Sequence, residues 1–98
     1  MKVIPMYEVE NKHRGHWFSA GAKRFFNSRI DQYGYEGANK HVYFVSSEKY
    51  DWRSPRLYSV RDYNPDTDQI DTVNGFQNYK TSSGATKAAQ RMAMKEAQ

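Results

Sequence analysis

The sequence predicts an α+β fold, a two-layer sandwich in which an N-terminal and a C-terminal helix pack on one face of a three- or four-stranded antiparallel sheet. Three observations lead to this prediction. A helical apolar stripe comes first, short runs rich in β-branched and aromatic residues follow, and an alanine-rich helical stripe ends the chain. A chain of 98 residues forms one modest core. We therefore expect one small domain over residues 1–98, with residues 1–15 extended or flexible.

The composition favours a folded chain with a small aromatic core. Aliphatic residues are few, but there are 15 aromatic residues and the net charge is only +4. Because each aromatic side chain buries a large area, they compensate for the missing aliphatic residues. The sequence has no cysteine, no signal-peptide pattern at its start and no apolar run long enough for a membrane span. We therefore expect a cytoplasmic protein that does not bind membranes.

The first predicted helix lies within residues 18–30. Its apolar residues recur at i, i+4, i+7 and i+8, which is one face of a helix: Phe18, Ala22, Phe25 and Phe26. Ser19 is a candidate N-cap. Lys23 and Arg24 lie beside the apolar stripe, so this pattern predicts phenylalanines facing inward and cations facing outward.

The middle of the chain predicts strands separated by turns. Residues 41–50, 56–63 and 70–73 are rich in β-branched and aromatic residues, which is typical of strands. The intervening segment 64–69, NPDTDQ, has the residues of a tight turn, so 56–73 is predicted to form a hairpin. Residues 29–35 are ambiguous, and whether they form a fourth strand stays open.

The second predicted helix covers residues 81–98, and Thr81 or Ser82 is expected to cap it. Its small apolar face allows close packing on a sheet and comprises Ala85, Ala88, Ala89 and Met92. Lys87, Arg91 and Lys95 recur every four residues, which places them in a row along one side of the helix.

Positive charge is concentrated in the two helical segments. Residues 11–30 carry a net charge of +5 and residues 72–98 carry +3, whereas residues 31–71 carry −3. The candidate phosphate-binding cations are therefore Lys23, Arg24, Arg29, Lys80, Lys87, Arg91 and Lys95. A small set of such contacts gives weak, salt-sensitive binding to nucleic acid. The alternative is that this is an ordinary solvated helix face, which is commonly rich in lysine.

A second candidate surface interleaves cations with aromatic residues. It runs from the segment that joins two predicted strands into the second of them, and comprises Trp52, Arg53, Arg56, Tyr58, Arg61 and Tyr63. Such a surface stacks bases or contacts phosphates, and Trp and Arg are also the residues that dominate protein interfaces. The alternative is that the arginines of this region pair with nearby acids, namely Glu48, Asp51 and Asp62.

The sequence predicts neither catalysis nor a cofactor. It contains no nucleophile elbow, phosphate-binding loop, dinucleotide fingerprint or zinc-protease motif. His13 and His16 have a ligand-like spacing, but a third ligand is missing and Arg14 between them opposes a divalent cation. The aspartates of the 64–69 turn lack the calcium-loop pattern. We therefore expect no enzyme activity, no metal, no cofactor and no small-molecule ligand.

Four segments together give the chain a family resemblance: HWFSAGAKRFFNSRI, YFVSSEKY, RLYSVRDYNPDTDQIDTV and FQNYKTSSGATKAAQRMA. They resemble an uncharacterised family of short phage and bacterial proteins across about residues 16–93. The resemblance implies a phage context and no catalytic residue. Asp68 stands where that family's turn often has glycine. The stretch GATKAAQRMAMKEA is also similar to the last helix of double-stranded-RNA-binding domains, although it has only Lys87 where they cluster lysines.

These observations predict a small, non-enzymatic phage-type accessory protein that acts by binding. The first hypothesis is that its basic helices bind nucleic acid or a nucleic-acid-processing machine. The alternative is an inhibitor of an acidic host or anti-phage defence protein, with an aromatic interface that includes Tyr50 and Trp52. Salt dependence separates the two, because phosphate binding weakens steeply as salt rises.

Overall fold

An antiparallel sheet with a helix near each end of the sequence makes up the described part of the chain. The computed structural model describes residues 1–13, 28–49 and 51–95. In chain order the elements are β1 (Lys2–Pro5), α1 (Met6–Lys12), β2 (Arg29–Ile30), β3 (Tyr33–Glu36), β4 (Val42–Glu48), β5 (Leu57–Asn64), β6 (Gln69–Val73) and α2 (Ser82–Lys95). The predicted α+β class is confirmed.

The sheet has more strands than the three or four predicted. The strand order is β1-β3-β4-β5-β6, and the short strand β2 also pairs with β4. The described residues therefore contain six strands, and every pairing between them is antiparallel. Residues 29–35, left ambiguous by the sequence, contribute β2 and the start of β3. The N-terminal segment also differs from expectation, because residues 2–12 form a strand and a helix.

The predicted hairpin over residues 56–73 is confirmed. Strand β5 pairs with β6 from Val60 opposite Val73 to Asn64 opposite Gln69. The side-chain Oδ1 of Asn64 accepts a hydrogen bond from the backbone N–H of Asp66 at 3.0 Å, which is the local bond that favours asparagine at the start of a turn.

The two described helices lie on opposite faces of the sheet. Every residue of β4 is buried, and successive side chains of a strand point to opposite faces. Val42 and Phe44 pack with α1 on one face, whereas Tyr43 and Val45 pack with α2 on the other. The predicted arrangement placed both helices on one face, but the apolar stripe of the first predicted helix, residues 18–26, lies outside the described residues.

Helix α2 is close to the predicted second helix, and its alanines let it approach the sheet. Ala85, Ala88 and Ala89 are buried against β4 and β5. The hydroxyl of Thr81 accepts the N–H of Gly84 at 3.0 Å, which confirms the predicted cap. Neither described helix is long and apolar enough to cross a membrane.

Candidate functional site

Three cations lie in a row on the exposed side of α2. Lys87, Arg91 and Lys95 are all exposed, whereas the alanines of the same helix face the sheet. The sequence of α2 contains no acid, and no ion pair within the described residues involves any of these three side chains. We call Lys87, Arg91 and Lys95 the helix stripe. Within Ser82–Lys95 no acid neutralises this charge, which is therefore available to an anion.

A groove of about 540 Å³ runs along one flank of the helix stripe. The lining residues come from α2 and from the segment that precedes it: Asn74, Tyr79, Ala88, Arg91, Met92, Met94 and Lys95. Two of the stripe's cations therefore lie at a groove whose other helical residues are apolar. The side chain of Met94 is 54% exposed, so part of this apolar surface faces solvent.

Backbone turns and a strand pairing hold the far side of the groove. Asn74 and Gly75 follow β6 with φ angles of 61° and 98°, a conformation that Asn and Gly adopt more readily than other residues. The chain then returns to the sheet, where Tyr79 exchanges backbone hydrogen bonds with Tyr58. The Asn74 side-chain amide donates to the Tyr79 hydroxyl at 3.3 Å, which joins the two ends of the segment.

A second group of cations gathers where β4 ends and β5 begins. Arg29 lies opposite Ser47 in the β2–β4 pair, and Arg56 donates through Nη1 to the Ser47 carbonyl at 3.2 Å and to its hydroxyl at 2.8 Å. Burial, followed by the nearby Arg29 charge, lowers the pKa of Arg56 from its ordinary value. Two predicted site residues that are 27 positions apart in the sequence are thus brought together.

Trp52 lies on the turn in the segment that joins β4 to β5. It is 79% exposed, and the guanidinium of Arg53 lies 4.7 Å from the centre of its ring. The Asp51 carboxylate accepts the backbone N–H groups of Arg53 and Ser54, both at 2.9 Å. These bonds lower the pKa of Asp51 and fix the turn that presents the indole.

Arg61 belongs to the interior, not to a binding surface. Its Nη2 donates to the carboxylate of Glu48 at 2.9 Å, and its Nε donates to the hydroxyl of Ser46 at 2.9 Å. Glu48 is only 1% exposed and also accepts from the hydroxyls of Ser46 at 2.7 Å and Ser59 at 3.4 Å. Pairing of strand arginines with nearby acids is therefore confirmed for Arg61.

The other two acids named in that alternative have different partners. Asp62 accepts from Nδ1 of His41 at 2.8 Å, and Asp51 caps its own turn. The exposed Arg53 stacks on an indole, and no ion pair among the described residues involves it. Within this second candidate surface, the charge of Arg61 is therefore neutralised by Glu48, whereas the charge of Arg53 faces solvent.

The acidic hairpin turn is tied to α1. Oδ1 of Asp68 accepts from Nδ1 of His13 at 2.9 Å and from the hydroxyl of Tyr63 at 3.1 Å. Burial, followed by the hydrogen bond to Asp68, raises the pKa of Tyr63. The φ angle of Asp68 is 56°, which explains why a related turn would have glycine there. Within residues 1–13, 28–49 and 51–95, no three His, Asp or Glu side chains form a metal site.

The structure separates the predicted site residues into two surfaces. Lys87, Arg91 and Lys95 form the helix stripe, and the exposed Lys80 lies just before α2. The other surface, at the junction of β4 and β5, comprises Arg29, Trp52, Arg53 and Arg56. Lys23, Arg24 and Tyr50 lie outside the described residues.

Sequence reasoning missed the groove residues Asn74, Tyr79 and Met94. The Asn-Gly pair did indicate a turn, but nothing in the sequence places that turn beside the C-terminal half of α2. The missing information is the pairing of Tyr79 with β5, which is a long-range contact.

A family model matches residues 3–90, nearly the whole described fold. The chain belongs to a family of unknown function, DUF7447. No curated protein and no solved structure matches it. The surface at the junction of β4 and β5 falls within the matched segment, whereas Arg91 and Lys95 of the helix stripe lie beyond it. Family membership therefore supplies no activity, and function has to be argued from these surfaces.

Proposed function

We propose that this protein is a small, non-enzymatic cytoplasmic accessory protein that binds nucleic acid, or a machine that processes nucleic acid, through the helix stripe. The observation that carries the proposal is the row of Lys87, Arg91 and Lys95, which is exposed and has no acid beside it within the described helix, Ser82–Lys95. Positive charge of this kind attracts phosphate and releases the counterions condensed on nucleic acid.

The charge of the rest of the molecule supports this choice of surface. The β5–β6 hairpin carries Asp66, Asp68 and Asp71, and Arg61 on β5 is buried and paired with Glu48. A polyanion is therefore repelled from the hairpin and attracted to α2. With three phosphate contacts, we expect weak affinity that varies little with sequence.

The second candidate function is inhibition of an acidic protein, such as a host or anti-phage defence protein. Trp52 favours it, because an aromatic side chain that is 79% exposed on a fixed turn is typical of a protein-interface anchor. Arg53 stacks on the indole, and Arg29 and Arg56 lie at the junction of β4 and β5; these cations suit an acidic partner. The resemblance to short phage proteins supports this context.

The proposal is tested with two variants that remove the same charge from different places. One replaces Lys87, Arg91 and Lys95 with Gln, and the control replaces Lys2, Lys12 and Lys40 with Gln. The control lysines are exposed and line a hollow beside α1, on the opposite face of the sheet. Fluorescence anisotropy with labelled DNA and RNA at low salt should show lost affinity only in the first variant. Equal losses of affinity in the two variants would indicate that only net charge matters. Undetectable binding by the wild type would leave inhibition of an acidic protein through Trp52 as the remaining candidate function.

A further inference from the structure

We infer that the groove beside the helix stripe takes an unpaired base, so that the preferred ligand is a single-stranded nucleic acid. This inference rests on the proposed function and specifies its ligand. The observation behind it is that Arg91 and Lys95 belong both to the stripe and to the groove. A strand whose phosphates lie along the stripe therefore has its bases next to the groove.

The groove has the size and the lining that a base requires. Its volume of about 540 Å³ lies within the range of small-molecule sites, roughly 300–1,000 Å³. Tyr79 offers an aromatic ring, and Ala88 and Met92 offer apolar surface. Every base has an apolar π face that stacks on such side chains without regard to sequence.

The polar groups at the groove favour a nucleotide over an acidic peptide. Arg91 and Lys95 supply positive charge, and none of the described residues that line the groove is an acid. The side-chain amide of Asn74 carries both donors and an acceptor, which is the combination that base edges match. A carboxylate side chain would use only the donors and would leave the ring of Tyr79 without a planar partner.

The same features disfavour a duplex. Within a double helix the bases are stacked and paired, so the π face that the groove would contact is already occupied. A duplex can still place phosphates on Lys87, Arg91 and Lys95. We therefore expect duplexes to bind through the stripe alone and single strands to bind through the stripe and the groove.

Methionine methyl resonances test this directly, because the chain has four methionines and two of them line the groove. Protein labelled at the methionine methyl groups is titrated with a thymidine oligomer, with a blunt DNA hairpin and with poly-glutamate of similar length. The oligomer should move the Met92 and Met94 signals upfield through the ring current of a stacked base. Met6, which is 2% exposed on the opposite face, should not move.

Affinities measured in parallel complete the test. Tyr79→Leu should weaken oligomer binding about fivefold or more, as loss of one base–aromatic stack does, and leave hairpin binding unchanged. Tyr79 also packs on the core, so its replacement affects stability as well as the groove, and Asn74→Gly is the companion variant. Glycine suits the positive φ angle of residue 74, and this variant should weaken oligomer binding but not hairpin binding.

Three results would overturn the inference. If oligomer and hairpin bind equally and Met92 and Met94 do not move, nucleic-acid binding stands but the groove is not used. If poly-glutamate moves both methyl groups as the oligomer does, the groove selects acidic chains in general. If no nucleic acid binds the wild type, the proposed function itself fails.

Discussion

Breaking the buried pair of Glu48 and Arg61 should cost far more stability than an ion pair usually contributes. Replacing Glu48 with Gln keeps the size of the side chain but removes the carboxylate that lies 2.9 Å from the guanidinium. Both side chains are at least nine-tenths buried, so the remaining charge cannot be solvated by water. Removing one partner of such a pair costs about 3–5 kcal/mol, against at most about 1 kcal/mol at a surface.

The reasoning can be checked with a double-mutant cycle. Glu48→Gln, Arg61→Met and the combined variant are unfolded with urea, and far-UV circular dichroism gives the free energy of unfolding of each. The combined variant should be less destabilised than the sum of the two single variants by about 2 kcal/mol or more, because it leaves no buried charge without a counter-charge. Single variants that lose less than about 1 kcal/mol, with additive effects, would refute the account of this network.

Three further predictions concern other acids of the chain. Burial raises the pKa of the Asp31 carboxyl, so the stability that Asp31 contributes is present at low pH and is lost as pH rises through the folded-state pKa. Asp31→Asn should therefore raise the Tm at pH 7. A series of Tm measurements against pH should show this gain vanishing below the ordinary pKa of 3.8. Asp68→Gly relieves a φ of 56° but removes the acceptor shared by His13 and the Tyr63 hydroxyl, so urea unfolding should show a net loss of about 1 kcal/mol, and Asp68→Asn should lose less. Asp51→Ala removes the acceptor that fixes its turn, so ¹⁵N relaxation of the Trp52 indole should report faster motion, and an unchanged order parameter would show that the turn holds without it.

The parts of the fold that the sequence predicted are those with strong local signals. The NPDTDQ turn between two β-rich runs predicted the hairpin, and the capped alanine stripe predicted α2. The N-terminal strand and α1 were missed because they are short and are stabilised by long-range pairing and packing. Val3 pairs with Tyr35, and Met6 packs in the core beside Phe44, but no periodicity within residues 2–12 signals either contact.

The exposure of the candidate site residues was likewise predictable only where it depends on local structure. Exposure of Lys87, Arg91 and Lys95 follows from helical geometry, because the alanines on the other side of α2 must face the sheet. Burial of Arg61 does not follow from local sequence, since its partner Glu48 is on another strand. The groove is beyond local reasoning for the same reason: it exists only because the chain returns to β5 at Tyr79.

The most direct test of the central claim is the salt dependence of binding by the helix stripe. Affinity for a generic duplex is measured from about 50 to 200 mM salt for the wild type and for the Lys87, Arg91 and Lys95→Gln variant, and its logarithm is plotted against that of the salt concentration. Each phosphate contact contributes a slope of about −0.9, so the variant's slope should be shallower by roughly 2.7. A wild type that binds with a flat salt dependence, or a variant with an unchanged slope, would contradict the assignment of phosphate binding to α2.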